Sequence, residues 1–158
     1  MNSPSDALET RRVVESFLEF VFEVDGAQAA TESKLEHWLD QLALRRHIGP
    51  SQFDGGPHPD PPEQSFEELC TIVVHRFPGL GLYNVALSMN EVGESEMGVG
   101  NAVDDLADIV KDLVDVAWRF ENTSDADAMW HFAWGYRNHW GEHLRDLQRF
   151  LYSLREDD

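Results

Sequence analysis

An apolar line through residues 124–154 constrains this chain more than any other feature. Met129, Phe132, Ala133, Tyr136, Trp140, Leu144, Leu147, Phe150, Leu151 and Leu154 recur at helical steps. At about 3.6 residues per turn they fall on one face of a helix about eight turns long. Ser124, three residues before Asp127, marks its start. Trp130, Trp134 and Gly141 fall on a second face about a third of a turn away. A helix apolar on two sides belongs at the centre of a bundle. Gly141 in mid-helix, where glycine costs about 1 kcal/mol against alanine, suggests a close approach of a neighbouring backbone.

A second amphipathic helix precedes it over 101–120. Val103, Leu106, Ala107, Val110, Leu113, Val114 and Ala117 form one stripe. Asp104, Asp108, Asp112 and Asp115 fall opposite, on what reads as a solvent face, and Asp105 lies nearest the apolar edge. Earlier in the chain, Asp6 and Glu9 open a helix through Val14, Phe17, Leu18 and Val21 that Gly26 ends. Thr31 opens another through Leu35, Trp38, Leu39 and Leu42. Its final Arg45-Arg46-His47 suits the negative end of the helix dipole. Ser65-Phe66-Glu67-Glu68 is a capping box for a third, with Phe66, Leu69, Cys70, Val73 and Phe77 as its buried stripe.

Between these elements, residues 48–64 hold five of the seven prolines and read as a surface loop, His58 included. Residues 80–100 read as irregular, with a short helical turn around 85–89. No strand pattern of convincing length is visible. The expected fold is all-α: one domain over 1–158, a bundle of about five helices with the long C-terminal helix central.

Thirty acidic residues against twelve basic ones give a formal charge of −18. Phosphate backbones and anionic membrane surfaces repel such a chain, so neither nucleic acid nor membrane is an expected partner. The acidity reads first as a solvated surface, then as docking to a basic protein partner, then as mimicry of nucleic acid. Cys70 is alone, so no intrachain disulfide is available, and its place in an apolar stripe reads as a small core residue. Neither a signal sequence nor an apolar run of spanning length is visible, and the default location is cytoplasmic.

The pairing of Asp104-Asp105-Leu106-Ala107-Asp108-Ile109 with His139-Trp140-Gly141-Glu142-His143 resembles an uncharacterised family of bacterial all-helical domains of unknown function. The resemblance covers residues 101–154. It implies an all-helical fold and no particular chemistry.

The two histidines carry what chemistry the sequence offers. His139 and His143, four residues apart, share a helix face and could bind one metal ion. With Asp105 they form a candidate divalent-metal set. Asp108, Arg137 and Trp140 complete a candidate polar pocket. The string His-x-x-Glu-His also matches the inverted zinc-peptidase pattern, but only fifteen residues remain to supply a third ligand. Glu91-x-x-Glu94 ahead of Asp105-x-x-Asp108 resembles the carboxylate pairs of all-α pyrophosphatases, with Gly93 weakening the first half. The simpler alternative is a core-facing histidine satisfied by a carboxylate such as Asp105 and orienting two helices. The sequence therefore favours a non-catalytic binding or protein-interaction module with no cofactor. The alternative is a metal-dependent hydrolase using His139, His143, Asp105 and Asp108.

Overall fold

The computed structural model describes residues 4–23, 31–48 and 52–154. Its elements are α1 (Pro4–Phe22), α2 (Thr31–Arg45), α3 (Phe66–Arg76), β1 (Leu82–Ala86), β2 (Met97–Asn101), α4 (Ala102–Asn122), α5 (Asp125–Gly135), a π-turn (Tyr136–Trp140) and α6 (Gly141–Leu154). Because α5, the π-turn and α6 run on without a break, the molecule is an all-α bundle of five helical rods carrying one small hairpin. No described helix is long and apolar enough to cross a membrane.

Several starts follow the sequence signals. The Ser65 hydroxyl accepts the Glu68 N–H at 3.2 Å and caps α3. Ser124 accepts the Asp127 N–H at 3.0 Å and caps α5. Gly26, expected to end the first helix, lies outside the described residues.

The centre of the bundle is shared by the C-terminal run and α4. Helices α1, α3, α5 and α6 all pack on α4, while α2 packs on α1 and α6. From Asp105 to Phe120 no α4 residue is exposed. The buried cluster joins Phe17, Leu39, Phe77, Leu106, Leu113, Phe132, Trp140 and Leu147. Each such side chain contributes about 1.5–3 kcal/mol on burial. Leu69, Val73 and Phe77 form the buried stripe of α3, with Phe66 and Cys70 half-buried at its margin.

The segment 80–100 departs from expectation. It contains no helical turn at 85–89; residues 82–86 and 97–101 form an antiparallel hairpin. Two features hid it. Each strand has five residues, and β2 alternates Gly98 and Gly100 where apolar side chains would reveal a period of two. Gly100 pairs with Tyr83, and a Cβ there would collide with the tyrosine ring. The glycine thus lets Tyr83 lie across the inner face, where its ring meets Phe150 at 5.5 Å. Asn101 ends β2 and caps α4, accepting the Val103 N–H at 3.0 Å. The strand therefore delivers Tyr83 directly over the first turn of α4.

The described part of the proline-rich loop is fastened rather than loose. Asp54 accepts hydrogen bonds from Ser124 at 2.5 Å and from His58 at 2.8 Å. Phe53 packs edge-on against Trp130, and Gln64 donates to Asp115 at 2.9 Å. Arg45 also has a larger part than its place at the end of α2 suggests. It is buried, donates to Thr10 at 3.2 Å and pairs with Glu9 at 3.0 Å, tying α2 to α1.

Candidate metal centre between α4 and the C-terminal run

His139 lies in the π-turn and His143 in the first turns of α6, and both face α4. Their rings are 5.0 Å apart and nearly perpendicular. His143 donates from Nδ1 to Asp105 at 2.8 Å, and His139 donates from Nδ1 to Asp112 at 2.8 Å. The opposite nitrogens both turn toward Asp108: Nε2 of His143 is 3.5 Å from Oδ2, and Nε2 of His139 is 3.7 Å from Oδ1. One ligand atom from each of Asp108, His139 and His143 fits within a span of 4.8 Å.

These distances are informative. The 3.5 and 3.7 Å separations exceed an ordinary charge-assisted hydrogen bond of about 2.8 Å. They run to different oxygens of Asp108, and with one atom from each residue the set spans 4.8 Å, so an ion with bonds of about 2.0 Å and ligands roughly 3.3 Å apart would draw the three side chains together. Imidazoles that hold a metal through one nitrogen commonly donate the other N–H to a carboxylate, which fixes tautomer and ring orientation. Both histidines have that second partner here.

The surroundings favour positive charge, whether carried by a protonated imidazole or by a bound cation. Asp105 is 6% exposed and also accepts the Tyr83 hydroxyl. Burial, then the hydrogen bond to Asp105, pushes the Tyr83 phenol far up, so it stays a donor. Burial raises the Asp108 carboxyl, and the His143 and His139 imidazoles work against that rise. Burial likewise raises Asp146, with Asp105 and Glu142 adding repulsion. His143 is raised chiefly by its bond to Asp105, against burial, with Asp108 helping. Side-chain exposures of 41% for His139, 28% for His143 and 23% for Asp108 leave the cluster open on one side.

The arrangement revises four expectations. Asp105 serves Nδ1 of His143 and the Tyr83 hydroxyl, so Asp108, not Asp105, stands beside the Nε2 atoms. Asp108 and Asp112, expected on a solvent face, are half-buried because the C-terminal run covers that side of α4. Trp140 lines no polar pocket. It is wholly buried, packed on Phe132 at 5.1 Å and Tyr136 at 5.0 Å, and its Nε1 has no partner among the described residues. Arg137 lies on the far side of the helical run, in the lining of two adjoining cavities.

Sequence reasoning missed Asp112 and Tyr83, and it missed the π-turn that aims His139. Gly141 was the available signal. Its N–H donates to the Tyr136 carbonyl five residues back, and a Cβ would collide with that oxygen. The close backbone is thus the helix's own preceding turn, widened by one residue. Glu91 and Glu94 sit in the hairpin connection, away from any helix, so the pyrophosphatase pattern is not formed. Cys70 stands beside Asp104, 3.8 Å from its carboxylate. Burial and that neighbour raise the thiol, the opposite of nucleophile activation.

A sequence-family profile described as a domain of unknown function, DUF5063, matches residues 3–157. The chain is similar in fold to the crystal structure of protein BF1032 from Bacteroides fragilis, with a TM-score of 0.74 at 18% identity. That likeness covers 96% of this chain and 92% of the other. No curated protein matches the sequence. A helical bundle built around the Asp105–Asp108 and His139–His143 pairs, matched by that profile almost end to end, belongs to the family of domains of unknown function DUF5063.

Proposed function

We propose that the protein holds one divalent transition-metal ion on Asp108, His139 and His143, and that the ion activates a water for hydrolysis. The observation that carries this reading is the opposed use of the two imidazole nitrogens. Each Nδ1 is tied to a carboxylate at 2.8 Å, while each Nε2 turns toward Asp108. Two imidazoles and one carboxylate suit zinc, iron or manganese. Three protein ligands with an open side leave a position for water, whose pKa a bound ion lowers. Asp105, Asp112 and Tyr83 are positioning residues in this scheme.

The test is calorimetric titration of zinc into chelator-stripped protein, alongside elemental analysis of the protein as purified. The expected result is one ion per chain, with Asp108→Ala and His139→Ala each weakening binding by at least about 100-fold while helicity is unchanged. No saturable binding below about 100 μM would sink the reading. The hydrolytic half is tested separately on chromogenic ester and phosphoester substrates. Zinc binding without turnover dependent on Asp108 would remove hydrolysis and keep the metal.

The alternative, a non-catalytic module docking a basic protein, draws on the outer face of the hairpin. Leu82, Met97 and Val99 are exposed there, and Glu91, Glu94 and Glu96 surround its far end. Apolar anchors rimmed by acids suit a basic partner. Under this reading Val99→Lys abolishes the association and Asp108→Ala leaves it intact; the reverse pattern rejects it.

A further inference from the structure

On the side of the C-terminal run facing away from the histidines, a cavity of about 400 Å³ is lined by Arg46, Tyr136, Arg137 and Arg145. A second, of about 290 Å³, adjoins it through shared Ala133 and Arg137 and is lined by Trp130, Trp134 and Asn138. Such volumes suit a small organic ligand.

The charge here is the reverse of the molecule's. In a chain with thirty acids and twelve bases, three arginines surround one cavity. Arg11, Arg45, Arg76 and Arg119 each pair with a carboxylate, whereas Arg46, Arg137 and Arg145 have no carboxylate partner among the described residues. Arg46 and Arg145 contact Tyr136 instead, and Arg137 lines the same cavity. The Arg46 guanidinium lies 5.4 Å from the ring centroid, and Arg145 donates from Nε to the hydroxyl at 3.2 Å and from Nη1 to Gln148 at 3.0 Å, leaving Nη2. Glu142 is the one carboxylate in the lining, and it leaves an excess of two positive charges. Guanidinium forks of this kind match phosphate oxygens.

The adjoining cavity supplies a different recognition element. Trp130 and Trp134 stack at 5.9 Å and 18°, and Trp134 is 51% exposed, leaving indole surface for a planar ring. The Asn138 side-chain amide donates to the Trp134 carbonyl at 2.8 Å, and its own oxygen remains to accept. A guanidinium cluster on one side of Ala133 and an exposed indole on the other suit a ligand that joins a phosphate to a planar ring.

We propose that this double cavity binds a nucleoside monophosphate, with the phosphate on Arg137 and Arg145 and the base on Trp134. The site is independent of the metal reading, since Arg137, Gly141 and Arg145 project about opposite to His139 and His143.

The test uses full-length protein in excess chelator, so that metal-bridged phosphate binding at the histidines cannot contribute. AMP, GMP, CMP and UMP are each titrated by calorimetry and by tryptophan fluorescence, with adenosine and inorganic phosphate as half-ligands. At least one nucleotide is expected to saturate with a Kd below about 100 μM. Adenosine and phosphate alone bind at least about tenfold more weakly. Arg137→Ala with Arg145→Ala, and separately Trp134→Ala, each weaken the nucleotide at least about tenfold, with helicity unchanged. Arg149→Ala, outside the lining, has no effect. No saturable nucleotide binding at about 1 mM overturns the proposal, as does binding that the arginine pair and Trp134→Ala leave within about twofold.

Discussion

His143 donates from Nδ1 to Asp105 at 2.8 Å, and this bond decides which ring nitrogen faces the rest of the cluster. With Nδ1 held on a carboxylate that is 6% exposed, Nε2 is left 3.5 Å from Asp108. The same division holds at His139, where Asp112 takes Nδ1. One helix, α4, therefore supplies both the carboxylates that orient the rings, Asp105 and Asp112, and Asp108, the carboxylate of the proposed ligand set.

Orienting and ligating roles separate by substitution. Asp105→Asn keeps the shape but removes the charge that holds the imidazole, and zinc affinity should fall about 10- to 100-fold. Asp108→Asn removes a ligand and should cost more. A competition titration against a chromophoric chelator measures both. Equal losses would mean that the two aspartates do not differ in role.

Gly141→Ala should act with the opposite sign to an ordinary helix substitution. In mid-helix the change normally stabilises by about 0.5–1 kcal/mol. Here the new Cβ would strike the Tyr136 carbonyl across the π-turn, and a loss of about 1–3 kcal/mol is expected. The turn also sets His139 against His143, so zinc affinity should fall with it. Urea unfolding and a zinc titration of the variant check the two effects.

Arg119 and Asp127 form a buried ion pair at 2.9 Å, supported by the Thr123 hydroxyl at 2.8 Å. Arg119→Met leaves Asp127 uncompensated and should destabilise by about 3–5 kcal/mol in urea unfolding. Adding Asp127→Leu should recover most of that loss, because the stranded charge rather than the missing bond is the main cost.

Two carboxyls at the start of α5 predict the acid limb of the stability curve. The Ser124 hydroxyl, then His58 and the Gly56 N–H, hold Asp54 down at about 2. Burial pushes Asp127 up, but hydrogen bonds from Thr123 and Arg119 outweigh it and leave the carboxyl below its usual value. Both folded values lie below the unfolded ones. The stabilisation is therefore complete above about pH 4 and is lost as the pH falls toward 2. Asp54→Asn should flatten that limb, read from melting temperature against pH.

The limits of the sequence are physical ones. The capping serines, Ser65 and Ser124, were legible because their signal is local. The Asp105–His143 contact was legible because Asp105 borders one apolar stripe and His143 projects within another, so the packing of two helices brings them together. Asp108 and Asp112 were misplaced because the pattern of one helix says nothing of what covers its polar side. Tyr83 reaches the site on a five-residue strand whose partner has glycines where a pattern would show. Nothing local marks Arg119, whose burial depends on Asp127 arriving from the next helix. The π-turn left a single trace, Gly141, open to more than one explanation.

The most direct test of the metal centre is a two-bond proton–nitrogen correlation spectrum of the imidazole rings, recorded on chelator-stripped protein and again with one equivalent of zinc. The expected result is that His139 and His143 both carry their proton on Nδ1 and that zinc shifts both Nε2 signals, while His37, His47, His58, His75 and His131 do not move. Unchanged His139 and His143 rings at saturating zinc, or zinc shifts at Nδ1, would contradict the site as assigned.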